Sequence, residues 1–216
     1  MLRIVHVVDD DEAVRRTTAR TLSSAGFVPE CYSSGNEFLA RLETAQPGCI
    51  LLDLRMPGLC GLSVQSALLD RQVDWPILVL TGYADLSAAV TALKNGALEF
   101  LQKPCRRGEL VPALETGFRL LKARLQQVRR VGEAKTQISS LSPRELSVLH
   151  ALADGMSHKV VAHHLGISIR TVEVHRARLL AKLGVRTLSE ALRISFSAAM
   201  PARLGLPAAA FVDSPN

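Results

Sequence analysis

The first 120 residues alternate short apolar runs with helical patterns. No other feature constrains the fold as strongly. "RIVHVV" reads as a strand and leads into the helical "DEAVRRTTARTLSSAG", which ends on glycine. The series continues with "PECYS" and "GNEFLARLETAQ", "CILLD" and "LSVQSALLDRQ", "PILVLT" and "DLSAAVTALKNGA", then "LEFLQK" and "RGELVPALETGFRLLKARLQQVRR". Short apolar runs suit strands buried on both faces, and five strand–helix units in series build an open parallel sheet with helices on both sides. The last helix holds Pro112 and Gly117, which predicts irregular early turns.

In such a sheet, ligands bind beyond the carboxyl ends of the strands, where strand order reverses. Asp9 and Asp10 end the first run, Asp53 the third, Thr81 the fourth and Lys103 the fifth, so all five should meet on one rim. Stacked carboxylates disfavour one another's ionised forms and imply a cation, or a reaction that needs one. Three of them suit a hard, oxygen-seeking divalent ion such as Mg²⁺. A carboxylate supported in this way can act as a nucleophile and accept a phosphoryl group, whose oxygens a hydroxyl and an ammonium would hold. Asp11 reads as a helix-start residue facing solvent. His6, inside a strand, reads as a core or surface histidine. Gly58 and Gly61 serve the loop after Asp53 as residues that take positive φ.

Charge divides the chain. Residues 1–120 carry 12 Lys+Arg and 14 Asp+Glu, a net of −2, whereas residues 121–216 carry 14 and 6, a net of +8. This asymmetry predicts two domains, the second with a polyanionic partner, and charge alone admits either nucleic acid or a membrane surface. No apolar run approaches the ~20 residues of a membrane span. The start "MLRIVHVVDDD" carries acid where a signal peptide keeps a longer apolar core, so the expected location is the cytoplasm. Cys31, Cys49, Cys60 and Cys105 lack any CxxC spacing and read as buried thiols that behave as small hydrophobes.

Beyond Leu121 the pattern turns polar and basic, "KARLQQVRRVGEAKTQ", and reads as a solvated helical linker over residues 121–137. Four short helices follow. Ser142, Pro143 and Glu145 form a capping-box start with proline at the first helical position, and Thr187 and Glu190 form a second box. Between them, "SHKVVAHHLG" and "SIRTVEVHRARLLAKLG" are helices joined at Gly166, a helix-turn-helix whose second member enters the DNA major groove. Ile169, Val172, Leu179 and Leu183 supply its core-facing stripe. Arg170, Glu173, Val174, Ala177, Arg178 and Lys182 lie toward the other side, with cations for phosphates and short side chains for base edges. Glu173 suits either a cytosine amino group or a neighbouring arginine. His163 and His164 are adjacent on one short helix, so they point apart and make a poor metal pair. The tail at 201–216 is rich in Pro and Ala and is expected to be disordered.

Two family resemblances attach to these motifs. "VVDDDEAVRR", "LLDLRMPGLCG", "VLTGYAD" and "GALEFLQKP" make residues 1–120 resemble the receiver domain of bacterial two-component response regulators. The resemblance implies a flavodoxin-like, doubly wound sheet of order 2-1-3-4-5, with Asp53 as phosphoacceptor. It implies Mg²⁺ held by Asp9, Asp10, Asp53 and the main-chain carbonyl of Arg55. Thr81 and Lys103 would contact the phosphoryl group, Lys103–Pro104 would be cis, and Phe100 would be an aromatic switch. Arg55 and Tyr83 would bear on the rate of dephosphorylation. Cys105 departs from the family, which usually has Phe after "KP", and this implies looser packing at the end of the fifth strand.

"LSPRELSVL", "LADGMSHKVVAHHLGIS", "RTVEVHRARLLAKLGV" and "SEALR" make residues 138–200 resemble the all-α, four-helix LuxR-type DNA-binding domain. The pairing points to the FixJ/NarL class. By this resemblance Glu173, Val174 and Ala177 face bases, whereas Thr171, His175, Arg178 and Lys182 lie near the backbone. The last helix, from Leu188, would serve dimerisation. The implied protein is a transcriptional regulator activated by phosphorylation. Its partners are a sensor histidine kinase, promoter DNA and a second copy of itself, with RNA polymerase as a further candidate. It is not an enzyme beyond its own phosphorylation and dephosphorylation. Two alternatives compete. An aspartate-nucleophile phosphatase needs an Asp-x-Asp pair followed by a hydroxyl residue, which "DDDEAV" lacks. A phosphate-independent DNA binder leaves the phosphorylation residues without a task.

Overall fold

The computed structural model describes residues 2–82 and 86–200; Tyr83 and the tail from residue 201 lie outside the described residues. The chain divides into two compact units that meet at Leu125 and Gln126.

The first unit holds β1 (Ile4–Val8), α1 (Glu12–Ser24), β2 (Val28–Tyr32), α2 (Gly35–Arg41), β3 (Cys49–Asp53), α3 (Gly61–Asp70), β4 (Ile77–Thr81), α4 (Leu86–Lys94), β5 (Glu99–Gln102) and the start of α5 (Arg107–Ser139). Every strand pair is parallel, in the order β2-β1-β3-β4-β5. The strands with neighbours on both sides, β1, β3 and β4, are buried along their whole length, and the edge strands β2 and β5 are not. Alternate residues face opposite sides. Val5, Val7, Leu51, Leu78 and Leu80 pack with Leu22 of α1 and with Leu110 and Leu114 of α5. The opposite face takes α2, α3 and α4, and there the ring of His6 meets Phe38 of α2.

Some elements depart from the sequence reading. Helix α2 stops at Arg41 rather than Gln46, and turns carry the chain on through Thr44. Pro112 does not disturb α5, which runs unbroken to Ser139. The proline stands early in the helix, and the carbonyl it leaves without a helical partner belongs to the exposed Gly108. Leu121, Val131 and Ala134 are buried, so the stretch at 121–137 is not uniformly solvated. Among the cysteines only Cys49 is buried; Cys31 is exposed, and Cys60 and Cys105 are half-buried.

The second unit contains the end of α5 with α6 (Pro143–Ala153), α7 (His158–Leu165), α8 (Ile169–Leu183) and α9 (Leu188–Ala199). A hydroxyl caps each of the four short helices. Ser142, Ser157, Ser168 and Thr187 accept from the backbone N–H three residues on, and Glu145 and Glu190 complete the two capping boxes. Gly166 turns α7 into α8 with φ of 63°, in the left-handed region. Val148, Leu149, Val161, Val172, Leu179 and Leu183 form the shared core. Ile169, expected in that stripe, is 46% exposed. It is the first residue of α8, and a helical side chain leans over the turn preceding its own Cα, here beyond the core.

Candidate functional site

The ends of β1, β3 and β5 bring three side chains into direct contact. Asp9 follows β1 and is fully buried; Asp53 closes β3 and is almost fully buried. Lys103 follows β5 and sets its Nζ 2.6 Å from Asp9 Oδ2 and 2.8 Å from Asp53 Oδ2. Lys103 thus bridges the two acids, hydrogen-bonded to Asp53 and ion-paired with Asp9. Asp10 is exposed, and one carboxylate oxygen from each of Asp9, Asp10 and Asp53 lies within 4.8 Å of the other two.

Local backbone geometry orients the acids. Asp9 Oδ1 accepts from the Asp11 N–H at 3.0 Å, and Asp53 Oδ1 accepts from the Arg55 N–H at 3.2 Å. Asp11 turns away as the N-cap of α1, accepting from the N–H groups of Ala13 and Val14. Arg15, one turn into α1 and not among the residues singled out from the sequence, donates to the Asp9 carbonyl at 2.7 Å. The loop after Asp53 returns tightly. Gly58 has φ of 75°. Gly61, by contrast, is needed for closeness and not for positive φ, since a Cβ there would lie 2.3 Å from the Asp53 carbonyl oxygen.

Electrostatics opposes full ionisation of this group. Burial pushes the Asp53 carboxyl above its usual range, against the pull of Lys103. Burial alone would lower the Lys103 ammonium, but Asp53 and Asp9 together hold it above its ordinary value. Thr81 ends β4 beside Asp53's strand. It is buried, its hydroxyl donates to the Gly82 carbonyl at 3.1 Å, and its own carbonyl accepts the Lys103 N–H at 2.8 Å. Lys103–Pro104 is cis. Phe100 stands apart on β5, 38% exposed.

Cys105 lines a cavity of about 430 Å³ beside Lys103, with Val14, Thr17 and Thr21 of α1, Leu80 and Leu110 as further walls. The space adjoins the position where an aromatic ring was expected.

In the second unit, Arg170, Glu173, Val174, Ala177 and Arg178 are exposed on one side of α8, and the first four line a shallow depression. Thr171 and His175 are half-buried; the Thr171 hydroxyl lies 2.8 Å from that of Ser168. Lys182 has a partner that sequence spacing cannot reveal. Its Nζ lies 2.7 Å from Oε2 of Glu145, which is 37 residues away. Among the described residues, no helix is long and apolar enough to cross a membrane.

Known proteins share both halves. Residues 5–115 match the family described as response regulator receiver domain, and residues 139–195 match the bacterial regulatory proteins of the luxR family. The transcriptional regulatory protein FixJ of Bradyrhizobium diazoefficiens is 36% identical over 196 residues, covering 91% of this chain and 96% of its own. The response regulator StyR has a solved structure that matches with a TM-score of 0.79 at 37% identity, covering 91% of this chain and 99% of StyR. Full-length FixJ from B. japonicum matches with a TM-score of 0.57 at 35% identity, covering 92% and 98%. With both domains present in this order and relatives that match along nearly its whole length, the chain belongs to the FixJ/NarL family of two-component response regulators, transcriptional regulators whose DNA-binding half answers to phosphorylation.

Proposed function

We propose that Asp53 accepts a phosphoryl group from the phosphohistidine of a sensor kinase. A carboxylate oxygen of Asp53 forms a bond to phosphorus as the bond to the kinase imidazole breaks, and the imidazole leaves. The observation that carries this reading is the meeting of Asp53, Asp9 and Lys103 at three strand ends, within 2.6–2.8 Å. Lys103 holds one phosphoryl oxygen, and Thr81 turns its hydroxyl from Gly82 to another. Three carboxylate oxygens within 4.8 Å of one another suit a hard divalent cation. Asp9, Asp10, Asp53 and the Arg55 carbonyl are the residues that would hold Mg²⁺. When bound, Mg²⁺ neutralises charge on the phosphoryl oxygens. The receiver performs only its own phosphorylation and dephosphorylation.

The switch follows from Thr81 and Phe100. Thr81 is buried and Phe100 is partly in solvent, so drawing Thr81 toward the phosphoryl group frees space into which Phe100 turns. The face formed by α4 and β5 changes shape, and phosphorylation biases a two-state element. The receiver then dimerises or releases the DNA-binding domain, and two half-sites are occupied. On DNA, Arg170 and Arg178 meet phosphates, Glu173, Val174 and Ala177 face bases, and Thr171 and His175 flank the backbone. Promoter-bound RNA polymerase is the further partner, and the setting is the cytoplasm.

The test is solution mass together with DNA affinity, with and without Mg²⁺ and beryllofluoride, in wild type and Asp53→Ala. Dimerisation and tighter DNA binding in the treated wild type alone is the expected result. Equal binding by both proteins in every condition would sink the phosphoryl switch.

A further inference from the structure

Two neighbouring residues in the first turn of α6 each reach a different helix of the helix-turn-helix. Arg144 Nη2 donates to the carbonyl of Leu165, the last residue of α7, at 2.7 Å. Glu145 Oε2 meets Lys182 Nζ, in the last turn of α8, at 2.7 Å. Glu145 is the only buried charged side chain among the described residues of the second unit. A carboxylate is almost never buried unless paired, and here the same oxygen also accepts the Ser142 N–H at 2.8 Å. Lys182 Nζ lies 3.4 Å from the Ser140 carbonyl as well, so its ammonium is turned toward the start of α6. Of the six exposed residues expected on the outer side of α8, Lys182 alone takes part in these contacts.

We propose that Glu145 is the positioning residue of the recognition helix. Through Lys182 it fixes the C-terminal end of α8. Arg144 holds the end of α7, and together the two set the angle at which residues 170–178 are presented to DNA. Lys182, although its side chain is 43% exposed, then spends its charge on the buried Glu145 and does not neutralise a DNA phosphate. The inference rests on the DNA-binding reading above and assigns Lys182 a different duty from the one its spacing suggests. Glu145→Gln isolates the charge, because glutamine keeps the capping box.

The experiment uses the full chain with Mg²⁺ and beryllofluoride. A duplex selected from a random library by the wild-type protein is compared with a mixed-sequence duplex over a range of salt concentrations. Glu145→Gln and Lys182→Met should each weaken binding to the selected duplex several-fold while changing mixed-sequence binding little, so the specificity ratio falls. The double variant should be no worse than either single, and Lys182→Arg should restore the ratio. The salt slope of Lys182→Met should equal that of wild type, since no phosphate contact is lost. A slope smaller by about 1 in Lys182→Met, with Glu145→Gln unaffected, makes Lys182 a phosphate contact and overturns the proposal. A lowered melting temperature with an unchanged specificity ratio in Glu145→Gln also overturns it, leaving a pair that only holds the fold. If the wild type selects no duplex at all, the DNA-binding reading fails and takes this inference with it.

Discussion

The ammonium of Lys103 lies 2.8 Å from Oδ2 of Asp53, joining the ends of β5 and β3 across the intervening β4. Its second contact, to Asp9, extends the tie to β1. Lys103→Met removes the cation and leaves two buried carboxylates facing each other. Their mutual repulsion and their burial both favour the protonated form, so Asp53 rises further above its usual range. An acid whose folded pKa is raised costs stability above that pKa, and the cost fades as pH falls through it. Lys103→Met should therefore be less stable than wild type at pH 7 by about 1–3 kcal/mol. The gap should narrow toward pH 4.5. Urea midpoints across that range check this, and a gap independent of pH would place the effect in packing instead.

Cys105 adjoins a cavity of about 430 Å³ bounded by α1 and Leu110. A phenylalanine there has room for its ring, and filling such a space commonly adds about 0.5–2 kcal/mol. Cys105→Phe should raise the unfolding temperature of the first unit, followed by the fluorescence of Trp75, the single tryptophan of the chain. A fall would mean that the walls cannot admit the ring and that overpacking wins.

Legibility in the sequence tracked how local each determinant is. The central strands β1, β3 and β4 were readable because parallel strands buried on both faces are continuous apolar runs, and the edge strands β2 and β5 followed from the alternation with helices. The caps at Ser142 and Thr187 were readable because capping acts within three residues. Asp11 was separable from Asp9 and Asp10 for the same reason: its carboxylate serves the N–H groups of its own helix. Long-range facts were not readable. Helical spacing put Lys182 on the outer face, where it is exposed, but its bond to Glu145 spans 37 residues and no spacing could show it. Burial of Val131 and Ala134 lies in a stretch whose composition is that of a solvated helix. Gly61 carried a visible glycine signal with a hidden cause, because the approach of the Asp53 carbonyl is a tertiary fact.

Glu145 carries a second prediction, on acid stability. The Lys182 ammonium, aided by the Ser142 N–H, holds its carboxyl down at about 2. An acid with a depressed folded pKa contributes stability that is complete above its unfolded value, about 4.3, and is lost as pH falls through the folded one. Wild type should exceed Glu145→Gln by a constant margin above about pH 5 and lose that margin between about pH 4 and 2. Far-UV circular dichroism should report the difference. Trp75 fluorescence should not, because Trp75 belongs to the first unit. A shift in the Trp75 transition would contradict the local assignment.

His6 gives the first unit a pH response of the opposite origin. The ring is fully buried, stacked on Trp75 with centroids 5.1 Å apart, and its Nε2 donates to the Gln46 carbonyl at 3.0 Å. Its Nδ1 lies 3.2 Å from the Tyr32 hydroxyl, which donates to Glu30 at 2.9 Å. The Tyr32 proton thus has two acceptors to serve. Burial lowers the His6 pKa, outweighing the Gln46 carbonyl and the Glu30 charge. The folded chain keeps His6 neutral at pH values where the unfolded chain protonates it, so stability declines as pH falls below about 6.5. The urea midpoint read by Trp75 should drop between pH 7.5 and 5.5. His6→Phe keeps the stack and should flatten that drop, while costing about 1–2 kcal/mol at pH 7.5 through the unpaired Gln46 carbonyl. The other five histidines all follow residue 125, so an undiminished drop in His6→Phe would assign the proton uptake to the carboxylates of the first unit.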